Sequence, residues 1–339
     1  MGKLDDVASA PRTATKATDP KTARRVRERS RKARAPNTMA MVPATRGTSI
    51  ILGEQKNLRP RHGDGPMTDA TPIAPDVPHV ERGVFIRTIQ GGVIKSLFDS
   101  LKDLVHDVVL RVDASGIRML TMDASKCALV HLKLEAESFE NFVCEPRDAR
   151  YDLGINVSNV FKLIKSTGTK DVISLAYDAT GNAHVLELSV QNAERQSNTT
   201  YHLKLLDLNT DVRELNDVKV DSVISVPGCY FQQLMKSMSE LADSVTISVH
   251  GGMVTLSCDG DFASQCTTLG TADGVKSTST ADCTGRYFLK YLVSFSKAAN
   301  LHRQSPVQIL LRNDFLILVF HVGSLGSLRF CLSGMDSVE

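Results

Sequence analysis

The sequence predicts an α+β fold in which one unit, a short amphipathic helix followed by alternating strands, occurs four times. Four segments place apolar residues at the i, i+3, i+4 spacing of a helix with one buried face: residues 91–104, 156–168, 227–241 and 284–301. Each is followed by β-branched, alternating stretches that a tight turn divides, at 107–134, 171–190, 243–260 and 307–323. The turns are DASG, DATGN, HGG and RND.

The spacing of the helices predicts the domain organisation. Helix starts lie roughly 60–70 residues apart, a period longer than that of solenoid repeats. Four copies therefore indicate two pseudo-symmetric domains of two units each, at 83–206 and 220–335. The acidic, hydrophilic stretch at 207–219 is predicted to be the interdomain connector.

Residues 1–80 are predicted to be a disordered basic tail and linker. They are rich in Ala, Thr, Pro, Arg and Lys and have almost no aromatic residues, so they cannot bury enough apolar surface to offset the entropy of ordering. A basic run at 24–34 is typical of a nuclear-import signal or a nonspecific phosphate contact. A solvated tail with neither role explains it equally well.

Composition argues against several classes of protein. No stretch approaches the ~18 uninterrupted apolar residues of a transmembrane helix, and the N-terminus lacks the apolar region of a secretory signal. The seven cysteines are scattered and form no C-x-x-C pair, which argues against a disulfide framework and a zinc site. We therefore expect a reducing compartment and no metal or other cofactor.

No sequence pattern typical of an active site is found. The chain lacks the P-loop, the dinucleotide-binding glycine motif, H-E-x-x-H and G-x-S-x-G, and its nine histidines show no metal-ligand spacing. Scattered Asp and Ser residues fit turns and strand surfaces better than a catalytic group. The protein is therefore not expected to be an enzyme.

The formal net charge of +2 hides an opposition between the tail and the body. Residues 1–62 carry 15 Lys and Arg against 5 Asp and Glu, which leaves 25 against 33 for the rest of the chain. This acidic body nevertheless has lysines on all four predicted helices. Any one of these lysines is explained as a residue that solvates the exposed face of its helix. Together they predict one positive surface that neutralises phosphates without reading bases, formed by Lys95, Lys102, Lys162, Lys165, Lys236, Lys290 and Lys297.

Three motifs in the body are specific enough to compare with known families. They are LKDL at 101–104, an SG-x-x-x-x-x-MD-x-S block at 115–125 and KLLDL at 204–208. With the spacing of the four helices, they resemble the proliferating cell nuclear antigen family of eukaryotic and viral sliding DNA clamps. The resemblance covers about residues 83–335. It implies the DNA-clamp fold, in which two similar domains per subunit close into a three-subunit ring with helices lining the hole.

The resemblance implies a function and a set of partners. A sliding clamp encircles double-stranded DNA, acts as a polymerase processivity factor and recruits other motif-bearing replication and repair proteins. An ATP-dependent clamp loader opens the ring, and nuclear localisation is expected. The DNA-facing basic positions of the family match the seven lysines. Two alternatives remain open: a subunit of a heterotrimeric damage-checkpoint clamp, and a processivity factor that binds DNA without encircling it.

Ring closure in the family pairs edge strands of neighbouring subunits. The matching segments are 198–206, which contains Tyr201, and 262–270, which contains Phe262. Pairing across subunits covers strand edges that otherwise invite aggregation. For Tyr201, packing within its own subunit is an equally good interpretation.

Partners of such clamps carry a glutamine-led motif with apolar and paired aromatic anchors, which docks beside the interdomain connector. The usual Tyr-Leu-Ala-Pro ending of the family is replaced here by Cys-Leu-Ser-Gly at 331–334. Less aromatic and proline bulk predicts a shallower pocket over an apolar floor that includes Leu215 and Leu332. The matching partner-binding positions are Met122, Lys126, Cys127, Leu129, Val212, Leu215, Phe315, Cys331, Leu332, Ser333 and Gly334.

Overall fold

The computed structural model describes residues 81–192, 194–208, 219–271 and 274–335. The predictions for residues 1–80 and for connector residues 209–218 lie outside the described residues, so the division into two domains stays a prediction. Within the described part, the four predicted helices are confirmed: α1 (Gly91–Leu101), α2 (Val157–Ile164), α3 (Gly228–Ser239) and α4 (Leu289–Ser296). None of the described helices has the length and apolar character needed to cross a bilayer.

A strand directly precedes each helix, and further strands follow it. In the first half, the strands are β1 (Gly83–Thr88), β2 (Asp107–Asp113), β3 (Gly116–Met122), β4 (Ala128–Glu135), β5 (Asn141–Glu145), β6 (Tyr151–Asn156), β7 (Val172–Asp178), β8 (Val185–Asn192) and β9 (Ser197–Lys204). In the second half, they are β10 (Ser222–Pro227), β11 (Ser244–His250), β12 (Met253–Asp259), β13 (Ser264–Leu269), β14 (Lys276–Ser279), β15 (Cys283–Phe288), β16 (Pro306–Leu311), β17 (Phe315–Val322) and β18 (Gly326–Ser333).

The predicted start of the fourth helix, at residue 284, is wrong. The structure places β15 there, and α4 begins only at Leu289. Side chains from Cys283 to Tyr287 alternate between buried and exposed, and the segment pairs with β11. That period of two belongs to a strand, although the neighbouring apolar residues also fit a helical spacing. A short 3₁₀ helix, Lys297–Leu301, continues from α4.

The strands form three antiparallel sheets. Their orders are β5-β1-β7-β8-β9, β14-β10-β16-β17-β18-β4-β3-β2-β6 and β13-β12-β11-β15. In the nine-stranded sheet, β4 of the first half pairs with β18 of the second, from Ala128 opposite Leu332 to Leu134 opposite Gly326. Backbone hydrogen bonds therefore join the two halves without a break.

The core lies between the sheets and the helices, and the nine-stranded sheet illustrates it. Along β4, Val130, Leu132 and Leu134 are buried while the residues between them are partly exposed, as expected when one sheet face is covered. From the helix side, Phe295 of α4 stacks on Phe330 of β18 with ring centroids 4.4 Å apart. The helices thus cover one face of the nine-stranded sheet, and the other face remains partly exposed.

Two of the predicted turns show why their residues suit them. The Asp113 carboxylate accepts a hydrogen bond from the Ser115 N–H at 2.8 Å, which folds the DASG turn on itself. In the HGG turn, Gly251 and Gly252 have φ angles of 55° and 82°. Glycine adopts this left-handed region without steric cost, so the hairpin closes tightly there.

Candidate nucleic-acid interface

The four helices lie side by side in one layer. α1 packs against α2, α3 packs against α4, and the 3₁₀ helix after α4 contacts both α1 and α3. This layer brings together the lysines that the sequence predicts to bind DNA. Three of them, Lys102, Lys165 and Lys297, are C-cap residues, where the helix dipole favours a positive charge.

Helix α2 shows how the sequence directs lysines away from the core. Its N-cap Asn156 accepts a hydrogen bond from the Asn159 N–H at 3.0 Å, which satisfies one free donor of the first turn. Val157, Val160 and Ile164 are buried at helical spacing. The exposed Lys162 and Lys165 therefore lie on the other side of the helix, within one turn of each other.

Lys102 is held by groups on both sides. Its Nζ lies 2.5 Å from Oδ1 of Asp99, one turn earlier in α1, and 4.2 Å from the centroid of the Phe161 ring in α2. The hydrogen bond to Asp99 raises the pKa of Lys102 above its ordinary value. The lysine is therefore charged at neutral pH, and its charge is partly compensated.

Lys297 forms an ion pair across the two halves of the chain. Its Nζ lies 2.8 Å from Oδ2 of Asp103, which follows α1 in the LKDL motif. The hydrogen bond from Lys297 lowers the pKa of Asp103, so this carboxylate is ionised at neutral pH. The helix layer thus contains acidic groups that compensate two of its seven lysines.

Two further lysines hydrogen-bond to nearby protein groups. The Nζ of Lys95 donates to the Thr167 carbonyl at 2.6 Å, which ties α1 to the end of α2. The Nζ of Lys162 lies 3.3 Å from Oδ1 of Asn159, one turn earlier. Lys95 is half-buried, whereas Lys162 is exposed. Of these two, Lys162 therefore has the more accessible charge.

The last three lysines are the most available. Lys165, Lys236 and Lys290 are exposed. Lys290 lies over the rings of Phe288 and Tyr291, with its Nζ 5.3 and 4.9 Å from their centroids. In the described part of the chain, no hydrogen bond or ion pair joins the side-chain ammonium of Lys165 or Lys236 to another residue.

The two segments predicted to close a ring both contain edge strands. Within the described sheets, β9 pairs only with β8, and β13 pairs only with β12. Phe262, just before β13, is 78% exposed. Tyr201 in β9 is half-buried and packs against the core of its own chain. The side chain of Phe262 is therefore far more accessible than that of Tyr201.

Several predicted partner-binding residues form one row on the outer face of the nine-stranded sheet. Met122 of β3 lies opposite Leu129 of β4, and Leu129 lies opposite Cys331 of β18. Phe315, at the start of β17, lies opposite Ser333. Met122 and Ser333 are exposed, whereas Leu129, Phe315 and Cys331 are partly buried. These four strands therefore gather an apolar surface from both halves of the chain.

Other predicted partner-binding residues lie elsewhere. Leu332 is 1% exposed and faces the helices, opposite to the face of Cys331, so its side chain supports the sheet from below instead of lining the surface. Gly334 donates its N–H to the Asp314 carbonyl at 2.9 Å, a bond that proline cannot make. Val212 and Leu215 lie outside the described residues.

Lys126 and Cys127 lie in the turn between β3 and β4, beside this row. Lys126 is exposed and has a φ of 58°, and the Cys127 carbonyl accepts a hydrogen bond from the Ser333 N–H at 3.3 Å. Burial raises the pKa of the nearby Cys331 thiol to about 11, so it stays protonated at neutral pH. The arrangement suits apolar docking and not thiol chemistry.

Comparisons with known proteins agree with this geometry. Residues 85–213 match the family model of the proliferating cell nuclear antigen N-terminal domain, and residues 214–335 match that of its C-terminal domain. The chain belongs to the proliferating cell nuclear antigen family. The helix layer and the three sheets are therefore those of the DNA-clamp fold.

Two relatives illustrate the range of the family. The chain is 41% identical over 255 residues to the "Probable DNA polymerase sliding clamp 1" of Paramecium bursaria Chlorella virus 1, covering 73% of this chain and 95% of the relative. It is 30% identical over 256 residues to the "Proliferating cell nuclear antigen" of Chaetomium thermophilum, covering 73% of this chain and 96% of the relative.

Three polar residues that organise these surfaces were not predicted from the sequence: Asp103, Asp123 and Tyr291. Asp103 pairs with Lys297, while Asp123 and Tyr291 hydrogen-bond to each other. The D-x-S spacing of Asp123 and Ser125 is typical of a turn closed by a side-chain hydrogen bond, so the sequence did carry a signal for the role of Asp123.

Within the described residues, no group of three or more His, Cys, Asp or Glu side chains is arranged to hold a metal ion.

Proposed function

We propose that this protein is a sliding clamp, a homotrimeric ring that encircles duplex DNA and tethers a polymerase and other replication and repair proteins. The observation that carries the proposal is the single helix layer, with lysines on all four helices, in a chain of this family. Such a protein acts by binding and catalyses no reaction of its own.

The proposed mechanism is topological. Lysine ammonium groups attract phosphates without reading base sequence, and each contact is weak and exchanges rapidly. A closed ring does not leave the duplex sideways, so weak contacts suffice and sliding stays fast. A polymerase bound to the ring is held near the primer end at a high effective concentration. Because a closed ring must open to admit DNA, we include an ATP-dependent loader among the partners.

Ring closure is assigned to the two edge strands. β9 of one subunit and β13 of the next are different surfaces, so their pairing is head-to-tail and generates a closed ring when the rotation fits. β9 presents mostly polar, exposed residues, and β13 is exposed at every second position. The exposed Phe262 supplies an aromatic anchor of the kind that dominates such interfaces.

Partner proteins are proposed to dock on the outer row. Met122, Leu129 and Cys331 offer apolar area on the sheet face that the helices leave uncovered. A short peptide with aromatic anchors gains most of its affinity from filling such a surface. The small side chain of Cys331 leaves this surface shallow, so we expect weaker peptide binding than an aromatic residue would support.

A nuclear location is also proposed. The basic run at 24–34 has the composition of an import signal. Fusion of residues 1–66 to a fluorescent protein tests the import role, because a nuclear-import signal concentrates the fusion in the nucleus and a solvated tail leaves it evenly distributed.

The oligomeric mass of the purified protein tests the ring directly. Sedimentation equilibrium should give three times the chain mass of 37.0 kDa. A stable monomer would favour the processivity factor that does not encircle DNA. A monomer that forms trimers only with two different chains would favour the checkpoint clamp.

A further inference from the structure

One buried carboxylate holds the turn between β3 and β4. Asp123 is 9% exposed, and its oxygens accept hydrogen bonds from the N–H groups of Ser125 at 3.2 Å and Ala128 at 2.8 Å. Burial alone would raise the pKa of Asp123, but these bonds and two hydroxyl donors lower it overall. The turn is therefore built around an ionised acceptor.

A tyrosine from the second half of the chain reaches the same carboxylate. Tyr291 of α4 is 8% exposed, and its hydroxyl donates to Oδ2 of Asp123 at 3.2 Å and also contacts the Ser125 hydroxyl. Its ring lies beside Phe295, with centroids 6.1 Å apart, in the main core. Hydrogen bonds to a charged acceptor are among the stronger ones in proteins. The turn in one half is thus fastened to a helix of the other.

The same turn carries two residues of the proposed partner surface. Lys126 adopts a φ of 58°, a conformation that a residue with a side chain keeps only when its surroundings hold it. Its N–H donates to the Asp123 carbonyl at 3.0 Å. The next residue, Cys127, accepts a hydrogen bond from Ser333 of the last strand. The shape of the turn therefore depends on Asp123.

We infer that Tyr291 and Asp123 are positioning residues whose hydrogen bond fixes the β3–β4 turn in the shape that a partner peptide binds. The inference rests on the proposed function, because it takes the outer row to be a peptide-docking surface. Neither residue contacts the peptide in this account. Instead, they hold Lys126 and Cys127, which do. When only a fraction of the protein has the competent turn, the apparent Kd rises by the reciprocal of that fraction.

The deciding variant is Tyr291→Phe, which keeps the ring and removes only the hydroxyl. The matched control is Tyr151→Phe, which removes a hydroxyl that donates to the Glu145 carbonyl, away from this turn. The probe is a synthetic glutamine-led peptide with one apolar and two adjacent aromatic residues, titrated into the full-length protein by fluorescence anisotropy. We expect Tyr291→Phe to weaken peptide binding about fivefold. This is the increase in apparent Kd that results when roughly one fifth of the molecules keep the binding-competent turn. The peptide Kd of the Tyr151→Phe control should stay within about twofold of that of the unmodified protein.

A double-mutant cycle separates positioning from general loosening. Tyr291→Phe added to Asp123→Asn should cost less peptide affinity than the two single losses combined, because both changes disrupt one link. Oligomeric mass and DNA binding should match those of the unmodified protein in all variants.

Two failures are distinguishable. Unchanged peptide affinity in Tyr291→Phe, or an equal loss in the control, overturns the positioning role and leaves the proposed function intact. No measurable binding of the peptide to the unmodified protein overturns both the positioning role and the docking surface on which it depends.

Discussion

Removing one carboxylate from the helix layer should strengthen DNA binding. Asp103 compensates Lys297 at 2.8 Å, and Asp103→Asn removes this negative charge while keeping the shape of the side chain. The freed ammonium then has no intramolecular partner to leave before it contacts a phosphate. The variant should therefore bind duplex DNA more tightly than the unmodified protein, although it loses an ion pair.

The size of the gain follows from the exposure of the pair. The side chains of Lys297 and Asp103 are 45% and 51% exposed, so solvent screens their interaction and the pair contributes at most about 1 kcal/mol. That free energy corresponds to about a fivefold change in an equilibrium constant. Each additional phosphate contact should also steepen the plot of log K against log salt by about 0.9.

The assay is the anisotropy of a short fluorescent duplex over a series of NaCl concentrations. Glu187→Gln is the control, since it removes one exposed negative charge from strand β8 instead of the helix layer. At about 0.1 M salt, the variant should bind up to about fivefold more tightly for each Lys297 that reaches a phosphate, and the control should change little because charges beyond about 10 Å are largely screened. Equal effects in both proteins, or no gain in Asp103→Asn, would show that Lys297 does not contact a phosphate.

Three further predictions follow from the same surfaces. Lys165→Gln and Lys236→Gln should each flatten the salt plot by about 0.9 per lost phosphate contact, and an unchanged slope would remove these lysines from the interface. Phe262→Ala should yield folded monomers by light scattering and circular dichroism, whereas Tyr201→Ala should also lower the melting temperature, because only Tyr201 packs against its own core. Cys331→Tyr should tighten partner peptides about tenfold in titration calorimetry, since ~50 Å² of added apolar contact is worth roughly 1.3 kcal/mol; unchanged affinity would show that peptides bind elsewhere.

Local patterns were enough to predict most of the fold. The four helices were found because each carries its own apolar stripe, and the hairpins were found because turn residues such as those of HGG have strong backbone preferences. Residues 284–288 were misjudged because a short apolar segment fits both periods. The pairing of β4 with β18 depends on contacts between residues far apart in the chain, which no local pattern encodes.

The candidate site was predicted residue by residue but not as a network. The sequence identified Lys297, yet its partner Asp103 lies 194 positions away, so the ion pair required the structure. The same holds for Tyr291 and Asp123. The prediction that Leu332 lines the partner pocket overlooked a local signal. Leu332 shares the buried face of its strand with Phe330, while Cys331 lies on the opposite face.

Release from DNA ends tests the central claim most directly. The protein is placed on a linear duplex whose ends are then blocked with bulky protein complexes, and its retention is compared with that on the same duplex with free ends at a salt concentration that suppresses phosphate contacts. An encircling ring should persist on the blocked duplex and slide off the open one. Equal loss from both duplexes would contradict the account, because a protein that merely binds the DNA surface dissociates without regard to the ends.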